Sequence, residues 1–388
     1  MLQFDIDQFP PAVTVPDRYQ QAFIVLRRRG VPVAQFSAPV TGGAVDIEHC
    51  RRELRKVVRR RRAEWGVADY LRPAQIDPPS FAATVAICTR ERPEDLARAL
   101  AAVSALTVTP HETIVVDNNP STTRTRDVVA GFENVRYVRE DRPGLDAARN
   151  RALQEASGSI VAFTDDDASP EPAWLGHLLA PFADPRVLCT TGLTLPLELE
   201  TAAQEWFERY SPFGRGFNRR VLDGIDDDPL AVAVAGAGAN MALRRNVVER
   251  VGAFDEALDA GTPTRSGGDH EMFGRILAAG YRIVYEPQAV SWHRHRRTWE
   301  ELREALQGYG TGVYAIWTRR LLYEHEPAVL RHAARWLYRG QLPRLWHALR
   351  KNPGSVPLDL LTAELRGCAA GPAAYRKARR QVGAAEAP

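Results

Sequence analysis

Residues 159–164 read SIVAFT and run straight into Asp165-Asp166-Asp167. An apolar run without alternation fits a strand covered on both faces. Three adjacent carboxylates at the end of such a strand repel one another and lose water. That raises their pKa values or loosens the turn unless a cation sits among them. Oxygen ligands at a turn suit Mg²⁺ or Mn²⁺, which typically bridge one or two carboxylates to diphosphate oxygens. The competing reading is a helix cap, since SPEPAW follows and Asp starts helices well. A second triplet, Asp226–Asp228, follows Gly224-Ile225 and precedes Pro229, and reads as a solvent loop.

The same pattern repeats upstream. TVAIC (84–88) is followed by the helix-like PEDLARALAAV, and ETIVVD (112–117) by a polar turn and TRDVVAGF. VRYV (135–138) is followed by GLDAARNRALQEA. This β-α-β-α order predicts an α/β fold with a mostly parallel sheet flanked by helices. Ligands in such sheets bind at the carboxyl ends of the strands. Those ends carry Thr89-Arg90-Glu91-Arg92, Asp117-Asn118-Asn119, Asp165–Asp167 and, after AVSWH, His293 and His295.

The flanks differ from this centre. The 388 residues are 45% hydrophobic and 26% charged, which excludes a wholly disordered chain. Residues 1–80 hold 13 Lys/Arg against 9 Asp/Glu, residues 81–296 hold 23 against 31, and residues 297–388 hold 15 against 8. An acidic centre between basic ends fits a cation-holding core whose flanks face something anionic; the plainer alternative is a solvated surface. Pro78-Pro79 reads as a linker. The expected division is therefore 1–80 (short strands and the Arg-rich helix 46–65), 81–296 (catalytic), and 297–388 (helices, then a frayed Ala/Gly/Arg tail from Gly367). No uninterrupted apolar run reaches the roughly 18 residues of a membrane span, and MLQFDIDQFPPAV lacks the pattern of a secretory signal. Four scattered cysteines without a C-x-x-C pair fit a reducing cytoplasm.

Seven pieces in order carry a resemblance: TVAICTRERPEDL, ETIVVDNNPS, RPGLDAARNRAL, IVAFTDDDASPEPAWL, GAGANMALRR, VGAFDEAL and GGDHEMFGRILAAGYRIVYEP. Residues 81–296 resemble a family 2 glycosyltransferase with the GT-A nucleotide-sugar fold. The resemblance implies that a nucleoside diphosphate sugar contacts Thr89, Arg90, Asp117, Gly144, Arg149 and Asp166, with Asp165 facing the ribose or sugar and Asn240 beneath the sugar and acceptor. It implies a Mg²⁺ or Mn²⁺ ion on Asp165 and Asp167, with His293, or else His295, completing the shell. It implies Asp269 as the general base of an inverting hexosyl or deoxyhexosyl transfer, with Glu271 in reserve. Gly268 stands where the family usually carries Glu. VGAFDEAL reads as structural, with Phe254 a core anchor.

Other functions fit less well. A nucleotidyltransferase would open with a Gly-rich loop after its first strand, and TVAICTRERP has no glycine. A nucleic-acid binder would interleave aromatics with the arginines of 51–62. A catalytically inactive nucleotide-sugar-binding or scaffold protein of the same fold is the remaining alternative. The basic helix 51–62 and the Arg/Trp/Tyr-rich helices 299–349 fit a peripheral membrane contact or an anionic or lipid-linked acceptor; ordinary packing of terminal helices is the alternative.

Overall fold

The computed structural model describes residues 1–70 and 81–385, so the Pro78-Pro79 linker lies outside the described residues. Four N-terminal strands, β1 (Leu2–Asp5), β2 (Gln21–Arg28), β3 (Val31–Thr41) and β4 (Ala44–Val45), form a small sheet followed by a helix over Ile47–Tyr70. Gly30 turns the β2–β3 hairpin at φ +81°, a conformation open to glycine.

The central sheet has nine strands: β5 (Ala83–Thr89), β6 (Glu112–Asn118), β7 (Val135–Glu140), β8 (Ile160–Asp165), β9 (Ala168–Pro170), β10 (Val187–Pro196), β11 (Arg220–Asp223), β12 (Asn240–Arg244) and β13 (Arg282–His293). Their order is β11-β13-β10-β12-β8-β5-β6-β7, with β9 paired to β13. Strands β8, β5, β6 and β7 run parallel, and β5 is buried at every position, as its unbroken apolar run requires. The other half is mixed. β12 runs antiparallel between β8 and β10, while β10 and β13 are parallel. One face packs on the helices Leu145–Glu155 and Gly268–Ala278, the other on Pro93–Ser104 and Trp174–Leu179.

The N-terminal sheet docks on this body. Val25 shares a core with Leu193, Tyr285, Val290 and Trp292, and an Arg27–Glu171 ion pair closes the seam. At the other end, a capping box of Thr298 and Glu301 starts the helix Trp299–Tyr323. The expected frayed tail is instead a helix, Leu358–Ala385, packed along Trp299–Tyr323. Its small residues allow that approach: a side chain at Gly310 or Gly367 would strike the backbone of the opposite helix. No helix among the described residues is long and apolar enough to cross a membrane.

Candidate active site

The strand ends open on one cleft of ≈ 550 Å³. Thr89 ends β5 with Arg90 and Arg92 just beyond it, Asn118 ends β6, and Asp165 ends β8 with Asp166 and Asp167 just beyond it. His293, His295 and Arg296 enter from the end of β13, and Asp269 from the first turn of Gly268–Ala278. Tyr309 and Trp336 close the cleft from the C-terminal helices.

The three aspartates have separate environments. Ligand atoms of Asp165, Asp167 and His293 lie within 4.8 Å of one another, the one such cluster found among the described residues. Asp167 sits 3.1 Å from His293 Nε2 and accepts from Arg92 Nη1 at 3.0 Å. Burial opposes its charge, but His293, Arg92 and Arg296 outweigh it and hold the carboxyl below its ordinary range. Asp165 accepts no side-chain hydrogen bond among the described residues, and burial, then the charge of Asp167, pushes its pKa up. Asp166 turns toward β5. Thr89 Oγ1 donates to it at 2.7 Å and Arg92 Nη1 at 3.2 Å, and burial raises its pKa to about 6.

His293 is backed by a buried chain of polar groups. Its Nδ1 is 3.2 Å from Nδ1 of His295, whose Nε2 is 3.2 Å from Glu208 Oε2. Gln35 Nε2, on β3, donates to Glu208 Oε1 at 3.1 Å. If His293 donates from Nδ1 and His295 from Nε2, the contacts behind His293 are satisfied, and its Nε2 faces Asp167 at 3.1 Å, where a shared cation, or a proton that the Asp167 charge favours against burial, must sit between the two acceptors. An oriented tautomer of this kind is what a metal-ligating imidazole needs. Sequence reasoning kept His295 as the second candidate for the histidine ligand; the structure sets it behind His293.

Asp269 is held by two backbone donors, Gly238 N–H at 2.7 Å and His270 N–H at 2.7 Å. Burial opposes its charge, but His270, Arg149 and these N–H groups hold it below the usual carboxylate range. Glu271 is not brought to the cleft. It is buried behind the helix, with Arg275 Nε at 2.7 Å and Arg319 Nη1 at 2.9 Å. Those two cations share Oε1, and Arg275 Nη2 donates to Oε2 at 2.7 Å, so both carboxylate oxygens are occupied, which removes it as a reserve base.

Arg149 is buried beside Asp146 (2.9 Å) and Asp259 (2.7 Å), with its guanidinium 5.5 Å above the Phe254 ring. Burial opposes its charge, but Asp259, Asp146 and Asp269 raise its pKa further. The space that a side chain at Gly268 would need is filled by the Asp146 carboxylate. An acid from the helix Leu145–Glu155 therefore stands where the resemblance expects one at 268.

Three expected contacts sit elsewhere. The Asn240 amide accepts from Trp174 Nε1 at 2.7 Å and donates to the carbonyls of Leu193 and Ala289. It is fully buried between strands and does not line the cleft. Gly144, at φ +129°, donates its N–H to Asn118 Oδ1 at 2.9 Å and shapes the loop without lining the cleft. Asp117 is fully buried behind Asn118. Tyr137 O–H donates to its Oδ2 at 2.9 Å, while Oδ1 has no hydrogen-bond partner among the described residues. Sequence reasoning assigned no role to Arg92, Asp146, Glu208, Gly238 or Asp259. Only Arg92 gave a signal, as a cation at a strand end just before the helix-starting Pro93.

The profile of a family described as Glycosyl transferase family 2 matches residues 84–252. The matched region, residues 84–252, is a family 2 glycosyltransferase domain. The glycosyltransferase is 29% identical to glycosyltransferase AglE of Haloferax volcanii over 67% of this chain and 81% of that protein. It is 28% identical to the pre-mycofactocin glycosyltransferase of Mycobacterium tuberculosis, over 60% of this chain and only 47% of that one. Mannosyltransferase PcManGT from Pyrobaculum calidifontis shares its fold, with a TM-score of 0.52 at 18% identity over 79% of this chain and 92% of that chain. The sheet of the glycosyltransferase is thus of the GT-A type.

Gly238 offers a local test of this site. A Cβ there would lie 2.7 Å from Arg149 Nη2 and 2.9 Å from Asp269 Cβ. Gly238→Ala should shift both side chains and lower glycosyl transfer by on the order of 10²-fold, the scale of a roughly 1 Å misplacement. The melting temperature should fall little. Unchanged turnover would show that Asp269 tolerates displacement.

Proposed function

We propose that the enzyme transfers a hexosyl or deoxyhexosyl group from a nucleoside diphosphate sugar to an acceptor hydroxyl, with inversion and with a divalent cation. Asp165, Asp167 and His293 would hold Mg²⁺ or Mn²⁺; two carboxylates and one imidazole favour Mn²⁺. The observation that carries this reading is the convergence of these three ligand groups with Asp269 on one cleft. A bound cation supplies positive charge to the departing nucleoside diphosphate. Asp269 takes the proton from the acceptor hydroxyl as its oxygen attacks the anomeric carbon, and the bond from that carbon to the diphosphate breaks. Arg90, Arg92 and Arg296 bring further positive charge to the phosphate side. Thr89 fixes Asp166. The mannosyltransferase of the same fold was solved with GDP-Man and Mn²⁺, which supports this donor class.

Residues 1–80, 81–296 and 297–388 are read as accessory, catalytic and helical C-terminal parts. An anionic or lipid-linked acceptor and a peripheral membrane contact are supported by the basic flanks. Four buried free cysteines fit a cytoplasmic setting. Gly268 favours the alternative, a nucleotide-sugar-binding protein without transfer, but Asp146 returns a carboxylate to that position.

Thermal melting against uridine, thymidine and guanosine diphosphates and their sugars tests the donor site. One base should stabilise the protein by about 2.7 kcal/mol at a hundredfold excess over Kd, and only with Mn²⁺ or Mg²⁺ present. Equal shifts without metal would overturn the metal-dependent reading.

A further inference from the structure

The segment 327–358 carries Arg331, Arg335, Arg339, Arg344, Arg350 and Lys351 and no Asp or Glu. It folds as the helix Ala328–Trp336, one wider turn over Leu337–Gln341, and the helix Leu342–Leu349. Its outward side is built of pairs. Leu330-Arg331, Ala334-Arg335 and Tyr338-Arg339 recur every four residues, and all six are exposed. The wider turn keeps the register, so that exposed Leu342 and Trp346 extend the apolar column to Leu349-Arg350. Leu330, Tyr338, Trp346 and Leu349 are each more than half exposed, and Arg350 stacks 4.0 Å above the Trp346 ring. Monomeric proteins rarely leave such a stripe open to water.

We propose that residues 328–351 lie flat on an anionic phospholipid bilayer, with the apolar column at the acyl boundary and the arginines among the headgroups. Aromatic and aliphatic side chains interleaved with cations match that boundary. A second copy of this face would oppose like charge. A nucleic acid would leave Leu330, Leu342 and Leu349 without apolar partners. The inward side of the same helix pair carries Trp336, which lines the donor cleft. Docking therefore brings the cleft rim to the membrane surface. This surface gives residues to the membrane contact proposed above but is independent of the transfer chemistry.

Vesicle co-sedimentation of the full chain tests it without donor, metal or acceptor, so a failure here leaves the transferase assignment standing. Vesicles of phosphatidylcholine with phosphatidylglycerol should retain the protein, and pure phosphatidylcholine should not. Retention should weaken as salt rises. Each cation near an anionic surface is worth about fivefold in partitioning, so Arg335→Glu/Arg339→Glu should lower retention at least ~20-fold. Trp346→Glu should lower it about tenfold or more, with the melting temperature of both variants unchanged. No retention by anionic vesicles, or equal retention of the variants, would overturn the proposal. So would a dimer in light scattering that Trp346→Glu splits, because the face would then bind its own copy.

Discussion

Asp167→Ala should abolish transfer together with metal-dependent nucleotide binding. Asp167 is the acid of the triplet kept most firmly ionised, by His293, Arg92 and Arg296, and it shares the ligand cluster with Asp165 and His293. Removing it leaves one carboxylate and one imidazole for the cation. A divalent ion contributes several kcal/mol of charge stabilisation at a leaving group, and at about 1.36 kcal/mol per decade the loss is ~10³-fold or more. The fold should persist, since Arg92 keeps Asp166 as a partner. Donor turnover and calorimetric nucleotide titration with and without Mn²⁺ would measure both effects. Metal-dependent binding retained in the variant would move the ion away from this cluster.

Asp269→Asn should separate binding from chemistry. Asparagine keeps the shape, but Gly238 N–H binds Oδ2 and His270 N–H binds Oδ1, so the amide keeps one of these bonds and sets its NH₂ against the other donor; it also does not take up a proton at neutral pH. General-base catalysis is worth about 10²–10⁴-fold, so transfer should fall by that amount while nucleotide affinity stays within a few-fold. The low pKa imposed by His270, Arg149 and the two N–H groups makes Asp269 ionised but weakly basic before substrates enter. An acceptor that excludes water would raise it toward the working range. Parallel loss of donor binding in Asp269→Asn would reassign the residue to holding the sugar.

The parallel half of the sheet was legible because strands buried on both faces leave unbroken apolar runs, as in 84–88 and 159–164. The mixed half was not. β12 lies within GAGANMALRR, a stretch too short and too rich in small residues to show a strand pattern, and only pairing with β8 and β10 makes it a strand. The aspartate triplet was legible because charge at the end of an apolar run is anomalous within a few residues. Asp146 beside Gly268 and Glu208 behind His295 were not, since each pairing joins distant stretches of chain. Asn240 was misplaced for the same reason: an amide next to small residues looks open to a ligand until Trp174 is seen to occupy it.

β13 is the longest strand of the sheet and pairs with β9, β10 and β11 at once. It begins well beyond residue 252, where the family profile stops. An expression fragment trimmed to the profile would therefore strip β10 of a neighbour and bare a row of unsatisfied amides and carbonyls, an invitation to aggregate. It would also discard Asp269 and His293, so soluble material from such a truncation would report nothing about turnover.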